Sequence, residues 1–121
     1  SILAQPLPQA SMSLFEFSQQ QVAAVPIGFI GFIQRRLLQD VRHMPSLEEL
    51  ADEMGISPAT LKRKFKSHGS SYQKQVDHVR CMISDHYQQK MGYDTEQVAQ
   101  LLNFYDTSNL RRAMKRWILA S

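Results

Sequence analysis

The chain of 121 residues lacks what several protein classes require. It holds one cysteine, Cys81, which excludes an internal disulfide framework and is typical of a reducing compartment. It contains no glycine-rich phosphate loop and no nucleophile beside a partnered base. No stretch alternates apolar and polar residues as a half-buried strand does. We therefore expect neither a disulfide-stapled domain, nor an enzyme with a cofactor, nor a β fold.

The sequence also lacks an apolar run long enough to cross a membrane. Its most apolar stretch, residues 22–33, contains Pro26 and is followed by Gln34, Arg35 and Arg36, whereas a transmembrane helix needs about 20 apolar residues. A signal peptide would carry its positive charge before the apolar run and not after it. We therefore expect a soluble, cytoplasmic protein that has no membrane partner.

The overall charge is modest and unevenly distributed. The 14 Lys and Arg residues against 11 Asp and Glu residues give a net charge of +3, and the chain is 43% hydrophobic, which is globular composition. Residues 1–26 have Glu16 as their single charged residue and contain three prolines. We interpret residues 1–26 as a connector with a short helix over about residues 14–24, and residues 27–121 as the domain proper.

Local signals in the first half of this domain predict three helices. Apolar residues recur at helical spacing over residues 27–43. Ser46 and Glu49 then form a capping box, in which each side chain reaches the backbone N–H of the other residue. Gly55 stands where a helix ends in a left-handed residue, and Ser57 before a proline begins the next helix.

The pattern of cap, helix, turn and helix then occurs a second time. A long helix over about residues 71–90 separates the copies, and Asp94 and Gln97 repeat the capping box. The displacement is 48 positions before the turn and 49 after it, so the second turn is one residue longer. Matched positions include Leu50 with Val98, Gly55 with Asn103, Leu61 with Leu110, and Arg63 with Arg112.

Two helices joined by a turn of three or four residues form a helix-turn-helix unit. The repeat therefore predicts an all-α fold with two such units, similar to a pair of homeodomain-like bundles. We place the first unit at residues 27–69, the connecting helix at residues 70–91 and the second unit at residues 92–121.

Positive charge is concentrated on the second helix of each unit. Residues 58–68 and 109–117 contain eight of the 14 Lys and Arg residues and no acid. A face presented to the phosphates of DNA has this character. At helical spacing Arg63 and Arg112 occupy equivalent outward positions, where arginine can donate two hydrogen bonds to guanine. Asn109, near a helix start, can pair with adenine.

These residues resemble the AraC/XylS family of bacterial transcription regulators. The resemblance covers about residues 46–117 and rests on paired motifs, among them Leu50-Ala51, Gly55-Ile56-Ser57-Pro58, Leu61-x-Arg63, Val79-Arg80, Val98-Ala99 and Lys115-Arg116-Trp117. It implies two units that enter successive major grooves of double-stranded DNA, and RNA polymerase as a further partner. It also implies that effector binding and dimerisation belong to a preceding segment. Residues 3–10 resemble the end of such an effector-binding domain.

The resemblance also implies which side chains meet DNA. The positions that match the family's base readers are Ala59, Thr60, Lys62, Arg63, Thr107, Ser108, Asn109, Arg111 and Arg112. We expect phosphate contacts from Lys64, Lys66, Lys115 and Arg116.

The chain departs from the family pattern at three places. Asn103 replaces the usual glycine of the second turn, although asparagine also tolerates a left-handed backbone. Leu110 and Met114 replace phenylalanines of the last helix, and the chain ends four residues after Trp117.

Parts of the sequence are compatible with two other function classes. His78, Cys81 and Asp85 lie along one side of a helix and are candidate metal ligands, but no second cluster completes the site, and packing and surface roles are favoured. The alternative to DNA reading is a helical module that docks on RNA polymerase or another regulator without base-specific readout. The basic outward faces favour DNA.

Overall fold

The structure is a computed structural model that describes residues 13–120. Residues 3–10 of the predicted connector, and Ser121, lie outside this described range. Within it the chain is helical and has no strand, which confirms the predicted all-α class. The helices are α1 Leu14–Val22, α2 Phe29–Gln39, α3 Leu47–Glu53, α4 Pro58–Ser67, α5 Tyr72–Gln89, α6 Thr95–Leu101 and α7 Thr107–Ala120.

Both predicted capping boxes are formed. The Ser46 hydroxyl accepts the Glu49 N–H at 3.1 Å, and the Glu49 carboxylate accepts the Ser46 N–H at 2.8 Å. Asp94 and Gln97 make the same two bonds at the start of α6, at 2.8 and 2.9 Å. Four local residues thus begin α3 and α6 in the same way, because they satisfy N–H groups that have no partner inside the helix.

The two turns are also alike in backbone conformation. Gly55 follows α3 with φ of 71°, and Asn103 follows α6 with φ of 62°. Asparagine therefore adopts the left-handed conformation that its position in the repeat predicts. α3 packs against α4 and α6 packs against α7, while α5 contacts α2, α6 and α7.

One continuous apolar core lies beneath these helices. Leu61 and Phe65 of α4 and Leu110 of α7 are no more than 1% exposed, and Trp117 is 8% exposed. Met114 is half-buried, and Ala113 takes a buried place beside it. Each fully buried large side chain contributes about 1.5–3 kcal/mol to folding.

The second helix is shorter than its apolar spacing predicts. α2 ends at Gln39 and not near residue 43, because Asp40 leaves helical geometry with φ of −153° and ψ of 84°. The turn that follows buries Val41 in the core and leaves Arg42 free to reach another part of the molecule.

The beginning of α2 passes close to the backbone of the preceding loop. A Cβ atom on Gly31 would stand 1.6 Å from the Pro26 carbonyl oxygen, so no larger residue fits there without a backbone shift. Gly31 weakens the helix intrinsically, and this close approach is what the glycine allows.

The helix within the predicted connector is part of the packed structure. Phe17 of α1 is 5% exposed; its ring stacks on the ring of His86 in α5 at 3.9 Å and meets the edge of Tyr87. Burial lowers the pKa of His86 below its usual range. None of the helices between residues 13 and 120 has the length and apolar character needed to span a bilayer.

Candidate nucleic-acid interface

The first candidate recognition helix, here called a reading helix, is α4. Its orientation follows from its N-terminal cap and from the side chains that it buries. The Ser57 hydroxyl accepts the Thr60 N–H at 3.1 Å, and a proline occupies the first helical position. Leu61 and Phe65 fix one side of α4 in the core. The remaining sides therefore present Lys62 and Arg63 to solvent.

The second candidate reading helix is α7, which is held in a corresponding way. The Asp106 carboxylate accepts the Asn109 N–H at 2.8 Å. Leu110 and Trp117 are buried, so Arg111 and Arg112 are exposed on the other side of the helix.

The predicted base-reading residues divide into two groups by exposure. Six are exposed: Ala59, Lys62, Arg63, Ser108, Arg111 and Arg112. Three are half-buried: Thr60, Thr107 and Asn109. The structure places four of these residues on α4 and five on α7, and their contacts with bases stay a prediction.

The two outward arginines share an arrangement that the residue spacing did not reveal. Arg63 Nη2 donates to Thr60 Oγ1 at 3.1 Å, and Arg112 Nη2 donates to Asn109 Oδ1. Ser57 Oγ in turn donates to Thr60 Oγ1 at 2.9 Å. In both units an acceptor side chain three residues earlier thus orients the guanidinium. The Asn109 carboxamide keeps its two N–H donors and a second lone pair on Oδ1 for a contact with adenine. The sequence feature that indicates this arrangement is a Thr or Asn three residues before each matched arginine.

The four predicted phosphate-contacting residues differ in their surroundings. Lys66 and Lys115 are exposed on their helices. The Lys64 ammonium lies 5.3 Å from the centre of the Phe29 ring, a cation–π contact with α2. Arg116 is bound within the protein, by Asp77 of α5.

Asp77 is the centre of a polar cluster that joins α5 to α7. Arg116 binds its carboxylate through two bonds, of 2.9 and 2.7 Å, and Trp117 Nε1 donates at 3.1 Å and Gln73 Nε2 at 3.0 Å. Burial acts to raise the pKa of Asp77, but hydrogen bonds from Arg116, Gln73 and Trp117 outweigh it, and the pKa is lowered. The cluster fixes α7 on α5 and so sets the direction of the exposed arginines.

The acidic helix α3 is tied to α2 by a second ion pair. Arg36 donates to both carboxylate oxygens of Glu53, at 2.7 and 2.8 Å. These hydrogen bonds lower the pKa of Glu53. Glu53 is thus one acid of α3 whose charge is paired with a cation of the same chain, at the protein surface.

The residues considered as metal ligands do not converge. His78 is exposed, whereas Cys81 is half-buried and its Sγ lies 3.9 Å from an Asp85 carboxylate oxygen. Across residues 13–120 no group of three or more His, Cys, Asp or Glu side chains is placed to hold a metal ion. Burial raises the pKa of the Cys81 thiol.

This chain is similar in sequence to several known proteins. It is 31% identical over 121 residues to the ornithine utilization regulator of Pseudomonas aeruginosa, covering 95% of this chain and 36% of that protein. An uncharacterised HTH-type transcriptional regulator of Mycobacterium bovis is 24% identical over 119 residues, 93% of this chain and 35% of the relative. The HTH-type transcriptional regulator VirS of Mycobacterium tuberculosis is 29% identical over 72 residues, 60% of this chain and 21% of VirS.

The chain is therefore similar, over nearly its whole length, to a regulator of ornithine utilization and to an HTH-type transcriptional regulator. It spans little more than a third of the length of the first two relatives. No protein-family model matches the chain, and no solved structure matches it. The similarity agrees with the two helix pairs α3–α4 and α6–α7.

Proposed function

We propose that this chain is the sequence-specific, double-stranded DNA-binding part of a bacterial transcription regulator of the AraC/XylS type. In this proposal residues 27–121 form the DNA-binding domain, and α4 and α7 enter two successive major grooves. The longer relatives and the resemblance of residues 3–10 support an effector part in a preceding segment. RNA polymerase as a further partner, and a cytoplasmic location, belong to the same proposal.

The observation that carries the proposal is the pair of matched arginines. Arg63 and Arg112 occupy the same place in the two repeats, are both exposed, and are both oriented by a side chain three residues earlier. A solvated surface arginine has no need of such an acceptor, whereas a bidentate contact with guanine O6 and N7 requires the guanidinium in one orientation.

The surroundings of these arginines favour DNA over a protein partner. The exposed side chains of α4 include Lys62, Lys64 and Lys66, and no acid interrupts either helix. DNA binding is driven largely by the release of counterions from phosphates, which such a surface promotes. A docking module without base readout would instead present large apolar side chains at the centre of its interface.

The test is selection of bound sites from a pool of random duplexes by the 121-residue chain, followed by footprinting and stoichiometry. We expect one chain on an asymmetric site with two unlike segments about 10 base pairs apart, since the outward residues of α4 and α7 differ. The double variant Arg63→Ala and Arg112→Ala serves as the control and should lose the preference at the two base positions that these arginines read. A wild-type chain that enriches no sequence yet binds RNA polymerase would establish the docking alternative instead.

A further inference from the structure

The loop between α2 and α3 is bonded to the turn of the second helix-turn-helix unit. Arg42 Nε donates to the Leu101 carbonyl at 3.1 Å, and Arg42 Nη2 donates to the Gln100 carbonyl at 3.4 Å. In the opposite direction, Asn103 Nδ2 donates to the Arg42 carbonyl at 3.1 Å. We call these three bonds the inter-unit clamp. They join residues about 60 positions apart in the chain.

The guanidinium of Arg42 is well matched to the backbone carbonyls at the end of α6. The last carbonyls of a helix have no partner one full turn further along, and α6 ends at Leu101. The Gln100 carbonyl accepts the Asn103 N–H at 3.2 Å and takes the bond from Arg42 in addition. Arginine can satisfy such carbonyls, and its planar group holds two acceptors at once, which the ammonium of lysine does not do in a fixed direction. Arg42 therefore completes the end of α6 from the other unit.

Asn103 both adopts a left-handed backbone conformation and donates a side-chain hydrogen bond to the first unit. Among residues 13–120 it is the single non-glycine residue with positive φ, and its counterpart Gly55 takes the same conformation without a side chain. Asparagine enters this conformation at little cost. Its carboxamide is then available for the bond to Arg42, which glycine at this position does not offer.

The clamp acts at a different place from the connecting helix. Both units pack on α5, and bodies joined along one helix alone retain some freedom to rotate about it. A second attachment away from that helix removes part of this freedom. The arrangement of α4 relative to α7 therefore depends on side chains that lie on neither reading helix.

We propose that Arg42 and Asn103 are positioning residues that set how many base pairs separate the two segments read by α4 and α7. This inference rests on the proposed function. Because each net hydrogen bond changes an equilibrium constant by roughly two- to tenfold, loss of the clamp should reduce discrimination between spacings by a similar factor. Contacts to the bases themselves should be unchanged.

The experiment measures binding of the 121-residue chain to its selected duplex, and to duplexes with one base pair added or removed between the two segments. Asn103→Gly deletes the carboxamide and keeps the backbone conformation, while Arg42→Lys keeps the charge and loses the planar fork. Gln100→Ala is the matched control, because the clamp uses its backbone carbonyl alone. Circular dichroism and thermal unfolding verify that each variant is folded.

We expect Asn103→Gly and Arg42→Lys to bind the original spacing well and to discriminate roughly two- to tenfold less against the altered ones, while Gln100→Ala behaves as wild type. Unchanged discrimination in both variants, or an equal loss of affinity for all three duplexes, would overturn the inference and leave the proposed function standing. A wild-type chain that binds no duplex specifically would overturn both.

Discussion

At the scale of single residues, the two outward arginines carry the prediction of sequence reading. Replacing Arg63 or Arg112 by alanine should cost about 1–3 kcal/mol of binding free energy and relax the preference at one localised position. The measurement is binding to duplexes that carry each single base-pair change in the selected site. Lys66→Ala is the comparison, since a phosphate contact weakens all sequences alike. Retention of the full wild-type preference by both arginine variants would contradict this assignment.

Thr60 gives a second prediction at this scale, because it orients Arg63 through its hydroxyl oxygen. Thr60→Val keeps the shape of the side chain and removes the acceptor, so the free energy of DNA binding should weaken by about 0.5–1.5 kcal/mol. The base preference should relax at the same position as in Arg63→Ala. Thr60→Ser, which retains the hydroxyl, should stay near wild type. A double-mutant cycle decides the matter. If Thr60→Val costs as much in the Arg63→Ala background, Thr60 acts independently of that arginine.

The exposure of these residues was predictable, and some of their contacts were not. Helical spacing alone places Arg63 and Arg112 opposite the buried Leu61 and Leu110. Residues three or four apart share a side of a helix, whereas residues two apart lie on opposite sides. The pairing of Arg116 with Asp77 depends on how α7 crosses α5, which no local spacing encodes. The sequence therefore indicated a basic helix, whereas the structure shows that one of its cations, Arg116, is paired with a carboxylate of the same chain.

At the scale of helices, local signals determined starts better than ends. The caps at Ser46 and Asp94 were predictable because all their partners lie within three residues. The end of α2 at Gln39 was not, because apolar spacing continues through Val41 and burial of that side chain outside the helix is a tertiary effect. The packing of Phe17 on His86 had no local signal either.

The attachment of α7 to α5 gives a prediction about stability and pH. Asp77→Asn should lower the free energy of unfolding at pH 7 by about 1–3 kcal/mol, since it removes hydrogen bonds to charged partners in a mostly buried place. The pKa of Asp77 is lowered in the folded state. Its contribution is therefore present above the pKa of the unfolded chain and is lost as the pH falls through the folded-state pKa.

Urea unfolding of wild type and Asp77→Asn as a function of pH measures this contribution. The difference between them should be constant near neutrality and shrink below about pH 4, where the unfolded carboxyl begins to take up its proton. Glu53→Gln breaks the exposed pair with Arg36 and is the matched control, for which we expect a smaller effect. A difference that persists undiminished at low pH would show that Asp77 acts through packing and not through its charge.

At the scale of the whole molecule, the internal repeat was enough to predict two units and a connecting helix. A capping residue, a turn and a basic helix that recur in register constrain each other, which a single amphipathic pattern does not. The relative placement of the units was beyond such reasoning. It depends on Arg42, which lies in a loop, and on Asn103. These two residues are about 60 positions apart in the sequence, and a hydrogen bond joins them.

The distribution of charge over the molecule leads to the last prediction, on salt dependence. Each phosphate that a cation contacts contributes about −0.9 to the slope of log K against log salt. Lys66→Ala and Lys115→Ala should each reduce the magnitude of the slope by about 1 and weaken all duplexes equally. Arg116→Ala should leave the slope nearly unchanged and lower the stability of the fold, because its guanidinium is bound to Asp77.

Titrations between 50 and 300 mM salt, about the range in which such slopes are resolved, distinguish the two roles. A slope that Arg116→Ala reduces as much as Lys115→Ala does would mean that this arginine exchanges Asp77 for a phosphate when DNA binds, so that the α5–α7 cluster opens in the complex.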